Sequence, residues 1–377
     1  MQISHIELQN WKNFRHCSVD VASRCFIVGA NASGKSNFLD ALRFLHDVAK
    51  QGGGLQTAVS SRGGLTKIRC LSARRVTDIS IKVTLRNGEE GRDRWRYALT
   101  IKGQGGGVVD SSAVIVCESV YDCDNEVYVL NRNGKDKLED KETLKVTHLE
   151  QAVTNTKFRE ILECFREMEY LNIVPQLVRE PGLSKPITED YYGRDLLVRL
   201  AKLNENTRAS YLRQINDVMV RAVPKLKELS FSKDANGTPH LEAKFEHWRA
   251  QGARQNESVF SDGTLRLIGF LFALTDGSGI VLLEEPENNL HTAVVEQLPE
   301  FIARIRRQKN RQVFATTHSF EILNNQGLMM KEVLLLETDE EETKVTNVSN
   351  DKSVVEVVNS GMTIADAILG RNIINLL

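Results

Sequence analysis

The sequence predicts an α/β fold that also contains an antiparallel β region and an inserted helical region. Three observations support this prediction. A glycine-rich loop at 29–36 stands between an apolar run and a helical pattern. Two later apolar strands, at 280–286 and 312–316, end in polar residues. Between these parts, alternating strand patterns give way to helical periodicity over 149–228.

The glycine-rich loop fills the pattern G-x-x-x-x-G-K-[ST] at every fixed position from Gly29 to Ser36. Its backbone N–H groups and the positive end of the following helix favour binding of the β- and γ-phosphates of a nucleotide. Lys35 is expected to neutralise phosphate charge, and the Ser36 hydroxyl to ligate Mg²⁺. The alternative is a glycine-rich turn with a surface lysine.

The composition is ordinary for a globular protein of two or three lobes, with 377 residues, 26% charged and 41% hydrophobic. The net charge of −1 argues against binding of nucleic acid through overall charge. Six cysteines without C-x-x-C spacing indicate neither a zinc site nor a disulfide framework. The sequence shows no signal-peptide pattern and no apolar run near the roughly 20 residues of a membrane span. We therefore expect a cytoplasmic protein with no membrane partner.

The first lobe is predicted to begin with a β-ribbon, because 2–8 alternates and 18–22 is placed to pair with it. The connecting segment 10–15 mixes aromatic and basic residues. That mixture suits either contact with the base and ribose of a nucleotide or a surface hairpin. The stretch 51–64 is rich in glycine and serine and is expected to be exposed and mobile.

An antiparallel meander is predicted next, with strands at 78–85, 95–102, 113–120 and 126–130. A hairpin turn at 131–135 is expected to lead to a further strand near 144–147. Helices are expected over 149–228, without the sustained heptads of a long coiled-coil arm. The later elements are strands near 242–247, 333–337 and 344–348 and helices near 265–274, 354–359 and 364–369.

The basic stretch, residues 62–102, contains eleven Lys or Arg and four Asp or Glu, a net charge of +7. A meander that presents this charge as one basic face would bind DNA. The alternative is charge spread over both sides of the sheet.

Ser261 and Gly263 precede an apolar helix and would present a hydroxyl, backbone N–H groups and the helix dipole to an anion. The alternative is an ordinary helix start, since Ser and Asp are common N-caps.

Two other polar features follow apolar strands. Glu284 and Glu285 end the strand at 280–286, and burying adjacent acids is costly unless a metal or a positive group lies there. His318 follows the strand at 312–316, where parallel sheets place ligands. A lone histidine, however, is usually structural.

In this order the four motifs resemble the ABC-type ATPase heads of the SMC, RecF and OLD group, particularly compact bacterial ATPases tied to DNA repair and phage defence. The resemblance covers 1–64 and 255–320. It implies a P-loop NTPase of the ABC-ATPase head type, with ATP and Mg²⁺ as cofactors. We expect four regions: a first part of the ATPase lobe (1–64), a β meander (65–148), a helical insertion (149–228) and a second part of the lobe (229–377).

The resemblance also assigns roles to single residues. The Walker A loop would comprise Gly29, Asn31, Ala32, Ser33, Gly34, Lys35, Ser36 and Asn37. Ser261 and Gly263 would form the signature motif, which in this family reaches the γ-phosphate bound by a partner subunit.

The remaining roles fall in the later strands and loops. Glu284 would be the Walker B acid that orients Mg²⁺, and Glu285 the base that polarises the attacking water. Asn288 and Asn289 would lie in the D-loop. His318 resembles the switch histidine that senses the γ-phosphate.

Two positions depart from the family pattern. Glu284 replaces the usual Asp and is one methylene longer, which predicts a changed Mg²⁺ shell and slow hydrolysis. Asp262 places an acid near the incoming phosphate, which predicts weaker ATP-driven dimerisation. Gln104 is the candidate for the Q-loop glutamine.

Three functions are compatible with these features. The first is an ATPase that forms a nucleotide-sandwiched homodimer with a second copy and acts on DNA or controls a partner effector. The second is the ATPase subunit of an OLD-like nuclease system. Because only 59 residues follow His318, the nuclease would then be on another chain. The third is an ATP-binding sensor or scaffold with little turnover.

Overall fold

Strands and helices occur largely in separate runs along the chain, with single strands between helices in the later part. The computed structural model describes residues 1–73, 78–103, 112–134, 140–179, 190–246, 253–339 and 342–374, with the backbone alone at 308 and 371–374. The strands are β1 (Gln2–Trp11), β2 (Phe14–Asp20), β3 (Arg24–Gly29), β4 (Ile79–Arg86), β5 (Asp93–Gly103), β6 (Ala113–Asp122), β7 (Val127–Asn133), β8 (Glu169–Leu171), β9 (Leu226–Lys233), β10 (Pro239–Phe245), β11 (Ala253–Asn256), β12 (Ile280–Glu284), β13 (Gln312–Thr317), β14 (Val333–Thr338) and β15 (Thr343–Asn347).

The α-helices are mostly short. They are α1 (Lys35–Ala49), α2 (Leu55–Ser60), α3 (Leu65–Ile68), α4 (Arg159–Arg166), α5 (Pro175–Arg179), α6 (Leu196–Lys202), α7 (Glu205–Ala222), α8 (Asp262–Thr275), α9 (Thr292–Val295), α10 (Leu298–Lys309), α11 (Lys352–Asn359) and α12 (Ile364–Ile374). The 3₁₀ turns cover Thr143–Lys145, Thr156–Phe158, Glu257–Val259, Phe320–Asn324, Met330–Glu332 and Val348–Asn350. Among the described residues, no helix is both long and apolar enough to cross a membrane.

Two compact units can be distinguished by their internal contacts. The first contains Met1–Met168 and Met329–Ser360, and the second contains Glu169–Leu328 and Gly361–Leu377. The four-part division inferred from the sequence stays a prediction, because it sorts residues by motif and periodicity rather than by contacts.

In the first unit the predicted antiparallel meander is present and larger than expected. The strand order is β2-β1-β4-β5-β6-β7, and every neighbouring pair is antiparallel. The predicted N-terminal β-ribbon is confirmed as β1 and β2, and it belongs to this same sheet. Ile6 is opposite Val19 on one side and Val83 on the other, and all three side chains are buried. Alternation of apolar residues therefore gives the sheet one core face.

The same unit contains the strand and helix on either side of the glycine-rich loop. β3 is parallel to β14, and β14 is antiparallel to β15. Every residue of β3 is buried, as expected for a strand covered on both faces. Helix α1 buries its apolar face through residues that include Phe38 and Leu42.

The aromatic residues of segment 10–15 are part of the core. Trp11 and Phe14 have no exposed surface. Trp11 packs edge-on against Phe44 with a centroid distance of 5.3 Å, and Phe14 against Phe38 at 6.1 Å. Neither ring can therefore stack on a nucleotide base. The alternative of a hairpin is confirmed for the backbone, since Trp11 pairs with Phe14 at the end of β1 and β2, but the two aromatic side chains lie in the core rather than at the surface.

The prediction that 51–64 is exposed is wrong where α2 forms. Leu55, Ala58 and Val59 are buried, and the backbone N–H of Leu55 donates to Glu150 Oε2 at 2.7 Å. Gly54, with φ of 112°, immediately precedes the helix. The glycines therefore delimit a packed helix here rather than a long exposed loop.

The strand predicted near 144–147 is also wrong, because residues 143–145 form a 3₁₀ turn. The Arg132 guanidinium donates to the carbonyls of Thr143, at 2.5 Å, and Val146, at 2.9 Å. A side chain thus satisfies backbone acceptors that a neighbouring strand would otherwise use. β7 continues to Asn133, past the start of the predicted turn, and 135 lies outside the described residues.

In the second unit a parallel sheet carries the later motifs. The predicted strands at 280–286 and 312–316 are confirmed as β12 and β13, which pair in parallel with Glu284 opposite Thr316. On its other side β12 pairs in parallel with β8, a three-residue strand that sequence periodicity missed. Separately, β9, β10 and β11 form a small antiparallel sheet, of which only β10 was predicted.

Candidate functional site

The glycine-rich loop joins the end of β3 to the start of α1. Ala32 and Gly34 have φ angles of 65° and 96°, so the loop turns through two left-handed residues. Lys35 is 5% exposed, and its Nζ donates to the carbonyls of Gly29 and Ala30, each at 3.0 Å. The alternative of a turn with a surface lysine is therefore wrong. The ammonium lies directly against the loop that the motif predicts for phosphate.

Asn13, which the sequence did not single out as a site residue, holds this loop in place. Its Nδ2 donates to the Ser33 carbonyl at 3.1 Å and to Thr343 Oγ1 at 2.6 Å. Its Oδ1 accepts from Asn37 Nδ2 at 2.7 Å. The φ angle of Gly34 favours glycine, and a Cβ there would lie 2.0 Å from Asn13 Nδ2, so any other residue would also displace the Asn13 side chain. The local signal for Asn13 was only its position upstream of the loop.

The loop also contains a polar atom suited to an additional ligand. Ser33 is buried, and its Oγ has no hydrogen-bond partner among the described residues. A Cβ at Gly29 would lie 2.6 Å from this hydroxyl and 2.7 Å from the Leu336 carbonyl, so the backbone approaches closely. Asn31, Ala32 and Ser36 are exposed. A phosphate oxygen fits a loop with an unpartnered hydroxyl and accessible backbone.

A cavity of 630 Å³ adjoins the loop residues in the first unit. Its lining includes Lys12, Asn13 and Asn37, together with Lys67 and Arg69 from the basic stretch. Lys12 is the only basic residue of segment 10–15 in this lining, and its Nζ pairs with Asp40 Oδ2 at 2.6 Å. The volume suits a small molecule the size of a nucleoside.

In the second unit, Glu284 and Glu285 occupy the end of β12. The Tyr170 hydroxyl donates a hydrogen bond to Glu284 Oε2. Glu285 has a φ of 43°, its N–H donates to Thr316 Oγ1 at 3.1 Å, and its Oε2 accepts from Asn288 Nδ2 at 2.9 Å. The two adjacent carboxylates therefore point to different partners.

His318, at the end of β13, lies beside the second of these carboxylates. Its Nδ1 is 3.5 Å from Glu285 Oε1 and 3.6 Å from Glu287 Oε1. The imidazole is 44% exposed. The structure thus brings together Glu285 and His318, which the sequence placed 33 residues apart, in a position open to a ligand.

Glu287 is a site residue that sequence reasoning missed. Its Oε1 accepts from Thr317 Oγ1 at 2.6 Å and from the His318 N–H at 3.1 Å, while its Oε2 is buried with no partner among the described residues. Burial raises the pKa of Glu287, although these hydrogen bonds oppose the shift. Glu287 therefore anchors the turn that carries His318.

Arg266 of α8 carries a positive charge that interacts electrostatically with this group of acids. Burial lowers the pKa of Arg266, while the charges of Asp262, Glu285 and Glu287 act in the opposite direction. Adjacent acids at the end of a strand are costly to bury unless a metal or a positive group lies nearby. Arg266 supplies part of that charge.

Ser261 and Gly263 form the start of α8. The Ser261 Oγ accepts from the Thr264 N–H at 3.2 Å, so Ser261 is a helix N-cap whose side chain remains exposed. A Cβ at Gly263 would lie 2.2 Å from the carbonyl oxygen of Asn289, a residue with φ of 65°. The predicted signature turn and the predicted D-loop are therefore in direct contact.

The basic stretch is offset by acids from elsewhere in the chain. The Arg62 guanidinium pairs with Asp40 at 2.9 Å and with Asp47 at 2.8 Å. Lys82 pairs with Glu7 at 2.8 Å, and Arg94 pairs with Asp122. Arg74 and Arg75 lie outside the described residues, as does Gln104, the Q-loop candidate. The net charge of the stretch thus overstates the charge available to a partner.

The two predicted Mg²⁺ ligands lie in different units, Ser36 in the first and Glu284 in the second, and each is of the kind that Mg²⁺ takes when it binds together with a phosphate. Ser36 offers a hydroxyl and Glu284 a carboxylate, and both are hard oxygen donors. In the described parts of the chain, no three His, Cys, Asp or Glu side chains come together to hold a metal. Mg²⁺ commonly uses one or two protein oxygens, substrate phosphates and water, so the residues present fit it.

A phosphate loop after a buried strand, and a carboxylate and histidine at the ends of parallel strands, define a P-loop ATPase of the ABC head type. Residues 25–114 and 137–324 match the AAA_21 family, described as "AAA domain, putative AbiEii toxin, Type IV TA system". The chain belongs to this family.

Two curated proteins are similar to the chain over different lengths. The Endonuclease GajA of Bacillus cereus (strain VD045) is 29% identical over 128 residues, which is 34% of this chain and 21% of GajA. The ATP/GTP phosphatase of Helicobacter pylori (strain ATCC 700392 / 26695) is 21% identical over 337 residues, covering 85% of this chain and 86% of that protein. The match to GajA therefore spans about a fifth of its length.

Two solved structures share the fold. An SmcHead bound to the C-winged helix domain of ScpA superposes with a TM-score of 0.55 at 14% identity, covering 92% of this chain and 98% of that one. The SMC head domain from Thermotoga maritima gives a TM-score of 0.50 at 12% identity, with the same coverage. These likenesses confirm the predicted ABC-ATPase head fold.

Proposed function

We propose that this protein binds ATP with Mg²⁺ and hydrolyses it, and that ATP binding closes two copies of the chain into a homodimer that controls an effector. The observation that carries the proposal is the pairing of Glu285 with His318 at the ends of β12 and β13. A carboxylate beside an exposed imidazole provides a base for water and a donor for a phosphate oxygen.

Each residue has a defined part in the proposed reaction. Lys35 would exchange its bonds to the loop carbonyls for phosphate oxygens, and Ser36 and Glu284 would hold Mg²⁺. When bound, the metal would neutralise charge on the phosphates. Glu285 would orient and polarise the attacking water, and His318 would contact the γ-phosphate. Phosphoryl transfer requires mainly positioning and charge neutralisation, which these groups supply.

The proposed homodimer would use the start of α8. Ser261 is exposed, and Gly263 packs on Asn289. A ligand bound at the Ser261 hydroxyl would therefore affect the position of the D-loop in the same copy. Ser261 would then complete the nucleotide site of a second copy. This arrangement would link ATP occupancy to association.

For the effector, we propose a nuclease on a separate chain, acting in phage defence. The support for a nuclease is the partial similarity to the endonuclease GajA, which covers 34% of this chain. DNA remains a proposed partner through the basic stretch, and a role in DNA repair is the alternative setting. We propose the cytoplasm as the location.

A sensor with little turnover is the second candidate, favoured by Glu284 in place of the usual Asp. The two candidates are separated by phosphate release from wild type and Glu285→Gln, with Glu300→Gln, an exposed acid on α10, as the matched control. An ATPase predicts a loss of about 10²-fold or more for Glu285→Gln only. Equal phosphate release from all three would reject the catalytic assignment.

Association is measured by light scattering of Glu285→Gln with and without ATP and Mg²⁺. We expect the mass to double only with both present. A mass that does not change with nucleotide would remove the homodimer from the proposal.

A further inference from the structure

Tyr170 lies beside the proposed Mg²⁺ ligand on a strand that periodicity did not reveal. In the parallel pairing of β8 with β12, Tyr170 is opposite Leu282 and Leu171 is opposite Leu283. The Tyr170 side chain reaches forward along β12, and its hydroxyl donates to Glu284 Oε2. The pairing of two strands therefore determines this contact, since the two residues are 114 positions apart.

The ring of Tyr170 is held in place by its surroundings. It packs edge-on against Tyr191, with a centroid distance of 5.6 Å and an interplanar angle of 79°. β8 also continues into Leu171, which is buried. A hydroxyl on a ring fixed in this way is a rigid hydrogen-bond donor.

Glutamate at position 284 has one more rotatable bond than aspartate and therefore more orientations to lose when it binds a ligand. A donor on Oε2 restricts those orientations. The general rule for metal sites is that partners of the ligands orient them and tune affinity.

We propose that Tyr170 is a positioning residue that holds the Glu284 carboxylate for Mg²⁺, and so compensates for the replacement of aspartate by glutamate at this position. The inference rests on the proposed function, because it assigns a partner to the Mg²⁺ site of the ATPase. It predicts a role for Tyr170 in metal-dependent nucleotide binding rather than in folding.

The test measures how Mg²⁺ tightens ATP binding, so it does not depend on turnover. ATP affinity is determined by calorimetry for wild type, Tyr170→Phe and the control Tyr192→Phe, with Mg²⁺ titrated and with EDTA. Tyr192 is 48% exposed, and its substitution also removes one hydroxyl. For Tyr170→Phe we expect about tenfold more Mg²⁺ to be required, with unchanged affinity in EDTA. The control should match wild type.

A double-mutant cycle with Glu284→Asp identifies the route of the effect. Aspartate is too short to maintain the same contact, so Tyr170→Phe should have no further effect in that background. An equal effect of Tyr170→Phe in both backgrounds, or a Mg²⁺ requirement like that of wild type, would overturn the inference. If Mg²⁺ fails to tighten ATP binding to wild type itself, the proposed function and this inference both fail.

Discussion

Arg179 and Asp262 form an ion pair at the start of α8, with Nη2 2.7 Å from Oδ1. The same Nη2 donates to the Phe260 carbonyl at 2.7 Å, and Gln176 Nε2 donates to Asp262 Oδ2 at 3.1 Å. The acid that departs from the signature pattern is therefore bound on both oxygens. The Asp262 carboxylate is therefore bound by two side chains of α5, Arg179 and Gln176.

This pair leads to the first prediction. In the Glu285→Gln background, Arg179→Gln should weaken ATP-dependent association several-fold, because Asp262 without its ion-pair partner would repel the triphosphate. Adding Asp262→Asn should restore association. Arg254→Gln, at an exposed arginine, is the matched control. Light scattering across protein concentrations gives the comparison, and full association of the Arg179→Gln protein would contradict the explanation.

The second prediction concerns Glu287. Glu287→Ala would leave the Thr317 hydroxyl and the His318 N–H without their acceptor, at a cost of about 1–3 kcal/mol, and would lower turnover by releasing His318. Glu287→Gln retains an oxygen acceptor and should be closer to wild type in thermal stability. Melting temperature and phosphate release are measured on all three proteins. Equal melting temperatures and equal phosphate release for the Ala and Gln variants would show that the oxygen acceptor at position 287 does not hold the His318 turn.

The third prediction separates the structural and DNA-binding roles of the basic stretch. Arg62→Ala should destabilise the protein by about 3 kcal/mol, because Asp40 and Asp47 would lose their buried partner. Burial alone would raise the pKa of Asp40, but the charges of Arg62 and Lys12 lower it.

Because the charge of Arg62 is used internally, Arg62→Ala should leave the salt dependence of any DNA binding unchanged. Lys67→Ala, at an exposed lysine of the same stretch, is the comparison. If the DNA affinity of Arg62→Ala depended less steeply on salt concentration than that of wild type, Arg62 would be shown to contact DNA phosphate.

The fourth prediction is a pH dependence of stability caused by Glu118. This side chain is fully buried in β6 and accepts from the backbone N–H groups of His148, at 2.8 Å, and Leu149, at 3.1 Å. Burial raises the pKa of Glu118 to about 7, from an ordinary value of 4.5, although these hydrogen bonds oppose the shift.

Because the folded protein holds this proton more tightly than the unfolded chain, the contribution of Glu118 to stability is complete below pH 4.5 and is lost as pH rises to about 7. The difference in unfolding free energy between wild type and Glu118→Gln should therefore decrease across that window, by up to about 1.4 kcal/mol per pH unit. Urea unfolding of both proteins at several pH values measures this difference in unfolding free energy. A difference that is constant with pH would contradict the assignment.

Local sequence was sufficient for the main elements of the fold. The phosphate loop, the buried strands at its start and at 280–284, and the meander all depend on short-range patterns of glycine and apolar residues, which act within one element. The same patterns failed for residues 51–64 and 144–147, where Glu150 and Arg132 from other elements satisfy the backbone.

The sequence by itself determined which chemical groups the protein has: the loop with Lys35, the acids after β12 and the histidine after β13. Only the tertiary structure decided their partners, pairing Tyr170 with Glu284, Arg179 with Asp262 and Glu287 with the His318 turn. The physical reason is that periodicity reports which face of an element is buried. The partner of a polar group depends instead on which distant elements pack beside it.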